Sequence, residues 1–364
     1  MNRRSFLASA VLAATISREG RATYAPEGEG GALLPPDHPL QEAWKAWKAL
    51  CLLPEGRVID QFQDGASHSE GQGYGLVLAV MFGDRIAANA IIDWTESNLN
   101  QRNDGLLVWR WRPETIPHVE DHNNASDGDL FYAWGLALLG RQDSRPELIE
   151  RAGKTADALI AHCTATHPDG SGQQYLLPGA AGFQHEQSLV LNLAYYMPRA
   201  LRDLAEITGR SALAKLATDG EALIDDLARN GVIPDWISLT IDGPQLPPEG
   251  FSSKSGYEAI RVPLFALWSD RAEAPAVLSF SRALSAAGPQ AGAVAVFDPT
   301  TGQVLEQSNH PGYAAVAALV NCASSNRIGS LIPVFSDAQP YYPATLHLMT
   351  LLIQITIYPR CVPI

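Results

Sequence analysis

The sequence predicts an all-α fold, a toroid of paired inner and outer helices with a small β-hairpin or extended rim segments, and three observations carry that expectation. Stretches that are apolar on every side, such as Leu76–Phe82 and Leu130–Leu139, call for helices surrounded by protein. They alternate with stretches that bear one apolar stripe, as in Ser211–Ala228, where Leu213, Leu216, Leu223 and Leu227 face one way and charges the other. Beyond residue 36 no Pro/Gly/Ser-rich linker divides the chain and no sequence period recurs, so one domain over residues 37–364 is expected rather than two domains or a solenoid.

Taken in order, residues 1–22 read as a signal peptide. Asn2-Arg3-Arg4-Ser5-Phe6-Leu7 gives a basic start and Ala8–Ile16 a short apolar run, with paired arginines of the twin-arginine type. A periplasmic or secreted protein is therefore expected. Residues 23–36, rich in Gly, Pro and Glu, form an extended leader. His38–Leu53 then sets Leu40, Trp44, Trp47 and Cys51 on one helical face, and Ala87, Ile91 and Trp94 repeat the pattern before the turn Asn103-Asp104-Gly105. Leu106–Trp111 is short and aromatic, which suits an extended rim segment.

Ser144–His162 reads as a more polar helix and Gln187–Leu204 as an apolar one, while Asn230-Gly231 stops the helix Ser211–Ala228. Tyr257–Trp268 and Pro275–Ala287, the latter with proline at its first position, make a further pair. Ala291–Phe297 and Gly302–Leu305 suggest a hairpin, followed by helices near Tyr313–Cys322 and at the C-terminus. The apolar run Leu346–Tyr358 is too short to cross a bilayer and reads as a closing core helix, so no stable membrane insertion of the mature chain is expected.

Composition narrows the function. The 364 residues are 46% hydrophobic and 18% charged, which is globular, and the net charge of −13 argues against nucleic acid, whose phosphates demand a basic surface. A neutral polymer is compatible with that charge. Cys51, Cys163, Cys322 and Cys361 lie far apart without metal-ligand spacing, so they leave disulfides and buried thiols both open. Neither a metal nor a cofactor is called for.

Three acidic stretches stand out. Ala66-Ser67-His68-Ser69-Glu70-Gly71-Gln72-Gly73-Tyr74-Gly75 sets Glu70 among alternate glycines at the start of an apolar helix, where backbone exposed at Gly71, Gly73 and Gly75 would let a ligand approach. The plain alternative is a capping glutamate. Asn123-Asn124-Ala125-Ser126-Asp127-Gly128-Asp129 places two acids at the next buried helix, with N-capping by Ser126 or Asp127 as the plain alternative. Ser255-Gly256-Tyr257-Glu258-Ala259-Ile260-Arg261-Val262-Pro263 offers a Glu258–Arg261 pair at helical spacing.

Together these stretches resemble the signatures of glycoside hydrolase family eight, over most of the chain after about residue 35. The resemblance implies an (α/α)6 barrel and an inverting endo-acting β-1,4-glucanase, similar to the periplasmic cellulases that accompany bacterial cellulose synthesis. It implies Glu70 as general acid, Asp127 as the residue that binds and distorts the sugar beside the scissile bond, and Glu258 as the base; Asp129 is read as structural. The family shows aspartate where Glu258 stands, which leaves open another residue as base, and Tyr132 and Gly135 depart from its preferences. Tyr74, Trp109, Trp111, Tyr195, Tyr196, Trp236 and Arg261 are the expected substrate-binding side chains. The expected partner is a β-1,4-glucan, with association with a cellulose synthase export complex. Chitosan and xylan are rival substrates, and a non-hydrolytic glucan guide is the rival from another class.

Overall fold

The computed structural model describes residues 34–325 and 327–363, so the expected signal peptide and most of the leader lie outside the described residues. Among the described residues there are eleven α-helices: α1 (Leu40–Cys51), α2 (Ser69–Met81), α3 (Arg85–Asn98), α4 (Ser126–Gln142), α5 (Pro146–His162), α6 (Pro198–Thr208), α7 (Ala212–Ala228), α8 (Arg261–Trp268), α9 (Pro275–Ala287), α10 (Pro311–Ser325) and α11 (Tyr341–Thr356). Nine short strands edge them: β1 (Ser67–His68), β2 (Arg110–Trp111), β3 (Thr164–Thr166), β4 (Gln174–Leu176), β5 (Ser188–Leu191), β6 (Ile237–Thr240), β7 (Gly243–Gln245), β8 (Ala293–Phe297) and β9 (Val304–Ser308).

The helices follow the burial each sequence dictates. α2, α4, α8 and α11 are buried almost throughout, whereas α3, α5, α7 and α9 bury one stripe. Each buried or inner helix packs on the helix that follows it and on the next inner one: α2 on α3 and α4, α4 on α5 and α6, α6 on α7 and α8, α8 on α9 and α10. α1 packs against α11, where the buried Trp47 indole donates to Thr345 Oγ1 at 2.9 Å, and so the ring closes as an (α/α)6 barrel.

All strand pairs are antiparallel. β1 pairs with β2, β3 with β4, β8 with β9, and β5-β6-β7 form a three-stranded sheet in which Leu189 faces Leu239 and Leu191 faces Ile237.

Four expectations are corrected. Gln187–Leu204 is not one helix: Ser188–Leu191 pairs as β5, the Asn192 side chain accepts from Ala194 N–H to start a single 3-10 turn, and α6 opens at Pro198, whose missing N–H is harmless only at a helix start. α8 begins at Arg261 rather than Tyr257, leaving Glu258 in the preceding turn. Only Arg110–Trp111 of the segment 106–111 reaches the rim as a strand, since Leu106, Leu107 and Val108 are fully buried. Gly71, Gly73 and Gly75 are buried in helix contacts and do not face a ligand. The cysteines divide: Cys322 and Cys361 form a disulfide joining α10 to the chain beyond α11, and Cys51 and Cys163 are buried thiols.

Candidate active site

The first side of the site is built by close backbone packing. Strand β1 keeps His68 extended, and Ser69 N–H donates to Trp109 O at 3.0 Å, so α2 starts at once and Glu70 falls in its first turn. α4 starts equally abruptly after the extended Ala125, with Ser126 N–H donating to Pro178 O at 2.9 Å and Ser126 Oγ to Leu177 O at 2.6 Å. The Ser126 hydroxyl thus ties a loop down and does not cap the helix.

The two helix starts touch through glycine. A Cβ on Gly128 would lie 2.2 Å from Ser69 Oγ and 2.6 Å from Glu70 N, and one on Gly73 would lie 2.8 Å from Tyr132 N. Only missing side chains allow this approach, which sets Glu70 and Asp127 side by side. Gln72, also in the glycine-rich motif, braces α2 from behind, accepting from Val58 N–H at 2.6 Å and donating to Thr95 Oγ1 at 2.8 Å.

The second side is the turn Tyr257–Ile260 and the first residue of α8, Arg261. The Arg261 side chain is 1% exposed, and its Nη1 donates to Glu70 Oε2 at 2.7 Å, to Tyr74 Oη at 2.8 Å and to Asp127 Oδ2 at 3.2 Å. Its Nη2 donates to Glu258 Oε2, which also accepts from Asn192 Nδ2 at 3.1 Å. Three acids from three elements therefore converge on one guanidinium. Among the described residues no group of His, Cys, Asp and Glu is arranged to hold a metal ion.

Burial raises two of the acids. Glu70 is pushed up to about 7, chiefly by burial, with Arg261 opposing and the negative Asp127 and Glu258 adding to the rise; a 3.1 Å hydrogen bond from Tyr341 Oη pulls the other way. Burial also lifts Asp127 to about 6, against the pull of Arg261 and the Gly128 N–H bonded to its Oδ1 at 2.8 Å. Exposure differs as well: the side chains of Glu70 and Glu258 keep 21% and 38% of their surface open, whereas Asp127 keeps 2%. A carboxyl that holds its proton near neutrality is what protonation of a leaving oxygen needs.

Asp129, two residues on, faces away from this cluster. Its oxygens accept from Leu107 N–H and Asn124 Nδ2, both at 2.8 Å, so it ties the segment before Trp109 to α4. Burial raises it to about 7 in spite of those two bonds.

The expected substrate contacts divide. Tyr195 and Trp236 are half-buried and lie 6.2 Å apart between ring centres, with Arg261 5.6 Å from the Tyr195 ring centre. Phe251 at 4.7 Å and Phe183 at 6.1 Å from Trp236 extend this into an aromatic row. Trp109 is half-buried at the rim, with Arg110 over its ring and its indole N–H bonded to Asp121 at 2.8 Å.

Three of the other four are corrected. Tyr196 is buried in the core, where its Oη accepts from Leu176 N–H at 2.6 Å and its ring fills the space a Cβ on Gly220 would need. Trp111, by contrast, is half-buried like Trp109, edge-on to Trp94 at 5.6 Å, with His118 at 4.4 Å and Arg57 over its ring. Arg261, which donates to the acids, and Tyr74, whose Oη accepts from Arg261, are both fully buried and present no surface to sugar. Of the two departures noted above, Gly135 leaves room for Leu76, and Tyr132 donates to Glu96 at 2.8 Å.

Sequence reasoning missed Tyr341, Phe183 and Phe251. Tyr341 opens the last helix right after Pro340, and no local spacing ties it to Glu70, 271 residues earlier.

Comparison with known proteins settles the family. Residues 35–356 match the glycosyl hydrolases family 8. The chain belongs to that family and is a glycoside hydrolase. It is 34% identical over 319 residues to a probable endoglucanase of Novacetimonas hansenii, covering 86% of this chain and 90% of that protein. It is 34% identical over 232 residues to an endoglucanase of Cellulomonas uda, covering 63% of this chain and 64% of that protein. The solved structure of an endo-β-1,4-glucanase from Acetobacter xylinum superposes with a TM-score of 0.77 at 31% identity, covering 88% of this chain and 99% of that one.

Proposed function

We propose that this family 8 hydrolase is an endo-acting β-1,4-glucanase that cuts internal bonds of cellulose-like glucan with inversion. The observation that carries the reading is the set of three acids on Arg261, beside an aromatic row that suits a chain of sugar rings. Similarity to endoglucanases over most of the chain supports the substrate class.

In this reading Glu70, protonated near neutral pH, donates to the glycosidic oxygen as the bond to the anomeric carbon breaks. Glu258, ionised, takes a proton from a water that attacks that carbon from the opposite face. Asp127, the most buried of the three, supplies negative charge beside the ring as positive charge develops on it. Arg261 donates to all three acids and so holds the neutral Glu70 beside the two carboxylates, and the helix N-terminus that carries Asp127 favours its ionised form by roughly 0.3–1 kcal/mol.

We further propose export to the periplasm or beyond, directed by Arg3-Arg4 and the apolar residues after them, and a role in cellulose biosynthesis alongside a synthase export complex. Among the described residues no helix is long and apolar enough to cross a membrane.

Viscosity and reducing-end assays on soluble carboxymethylcellulose test the activity. An endo-enzyme lowers viscosity early, at few cuts. No new reducing ends on this substrate, with binding retained, would instead favour a glucan guide, and faster release from chitosan or xylan would reassign the substrate. Proton NMR of the first product should show the α anomer; initial β product would rule out inversion.

A further inference from the structure

We infer that Asp235 is a positioning residue, holding the turn that carries Glu258 so that the longer acid meets Arg261 and Asn192. The inference rests on the reading of Glu258 as base. Asp235 is buried in the segment Pro234-Asp235-Trp236 leading into β6 and makes no contact with Glu70, Asp127 or Arg261. Its Oδ1 accepts from Gly256 N–H at 2.8 Å and from Ala259 N–H at 2.9 Å, while Oδ2 accepts from Ser252 Oγ at 2.8 Å. One carboxylate thus grips the backbone two residues before Glu258 and one residue after it.

The grip is close. A Cβ on Gly256 would stand 2.8 Å from Asp235 Oδ2, so the loop lies directly on the carboxyl. Asp235 N–H donates in turn to Lys254 O at 2.7 Å, and Ser255 pairs with Phe297 through two backbone bonds of 3.0 and 2.8 Å. With its backbone fixed on both sides, Glu258 retains only side-chain rotation, which Arg261 Nη2 and Asn192 Nδ2 limit from the far end. The next residue, Trp236, stands in the aromatic row, so the same anchor sets the register between a sugar on that ring and the base.

The grip needs acceptor oxygens and not charge. Asparagine retains an Oδ1 for the Gly256 and Ala259 N–H groups, and the Ser252 hydroxyl can turn to accept from its amide; alanine retains nothing.

The test is steady-state kinetics on carboxymethylcellulose with thermal melting, for Asp235→Ala, Asp235→Asn, Glu258→Gln and both pairings. Asp235→Ala is expected to lower kcat by on the order of 10²-fold, with KM within about threefold, because misplacing a reacting group by an ångström costs that much. Asp235→Asn should keep kcat within about tenfold, and neither should lower the residual rate of Glu258→Gln further, as expected of residues acting as one unit. Equal damage from Asn and Ala would mean that the charge itself acts, and would overturn the inference. So would a drop of the same size on the Glu258→Gln background.

Should Asp235→Ala fail to fold, Gly256→Ala presses on the same contact from the other side and must show the same fall in kcat at near-parental KM. Parental turnover there would equally overturn it. Parental turnover in Glu258→Gln would sink the base assignment and this inference together, whereas a crippled Glu258→Gln beside a fully active Asp235→Ala would sink the inference alone.

Discussion

The two sides of the acid cluster are held in different ways. Glu70 and Asp127 ride on first turns of α2 and α4, locked by a contact that leaves no room for a Cβ on Gly128. Glu258 rides on a turn whose position depends on hydrogen bonds to one buried carboxylate and on a half-exposed side chain. Close packing admits no change of length or depth, because interiors transmit any added volume as strain. The turn is held by hydrogen bonds to Asp235 instead, and the longer acid is accommodated in its side chain, between Arg261 and Asn192. The glutamate that stands where the family shows aspartate lies on the turn side, whereas the departures at Tyr132 and Gly135 lie within the packed α4.

The largest expected effects fall on the acids themselves. Glu70→Gln removes the donated proton and should cut turnover by about 10³-fold or more, within the range for general acid–base groups or beyond it. Calorimetric titration with a cello-oligosaccharide should find its affinity nearly unchanged, and substantial hydrolysis by this variant would rule Glu70 out as the acid. On the turn side, Glu258→Gln should lose ~10²–10⁴-fold, while Glu258→Asp should remain within roughly a decade of the parent. If Gln and Asp behaved alike, Glu258 would be bracing α8 and the base would lie elsewhere.

Stability separates the two sides next. Gly128→Ala must force α2 and α4 apart and should cost about 3 kcal/mol, the upper end of ordinary overpacking, read as a lowered denaturation midpoint at unchanged slope. Gly256→Ala should leave the midpoint much closer to the parent. A Gly128→Ala protein as stable as the parent would mean that the crossing has slack after all.

A pH effect comes after that. Glu70, Asp127 and Asp129 are raised to about 7, 6 and 7, so between about pH 4 and 7 the folded chain holds more protons than the unfolded chain. Stability from these groups must therefore fall as pH rises through that window. Melting temperatures should decline from pH 5 to about 7 and then level off, and Glu70→Gln should flatten the decline, gaining on the parent over that same range. Activity should fall over the same upper range as Glu70 loses its proton. The smallest effect is a control: Tyr196→Phe removes the acceptor of Leu176 N–H and should cost about 1 kcal/mol while leaving KM unmoved.

Glu70, Asp127 and Glu258 stand out in the sequence because each sits in a short run whose odd residues are neighbours, while the role of each comes from the family resemblance and their convergence on Arg261 is seen only in the structure. The helix pairs were readable from stripe width, and Pro275–Ala287 matches α9 residue for residue. What escaped depends on contacts between distant segments. The Tyr341–Glu70 bond spans the chain, and Asp235 acts on a turn 21 and 24 residues away. Gln187–Leu204 misled because a buried strand and a buried helix share apolar composition, and only Pro198 marks the change. The glycines misled for a related reason: sequence shows that a side chain is missing but not what fills its place.

The contact between α1 and α11 bears on topology. His38 and Pro39 at one end of the described chain, and Val362 and Pro363 at the other, line one apolar groove together with Leu351 and Ile355 of α11. Those two α11 residues follow Tyr341 by ten and fourteen positions, about 15–21 Å along the helix axis. The acids and the groove thus lie at opposite ends of α11. A closed ring has no obligatory first helix, so its present opening is one choice among several. Joining residues 38 and 363 by a short flexible tether and reopening the chain at the exposed Asn230 turn would preserve every helix–helix contact and leave the acids where they are, making this barrel a candidate for circular permutation.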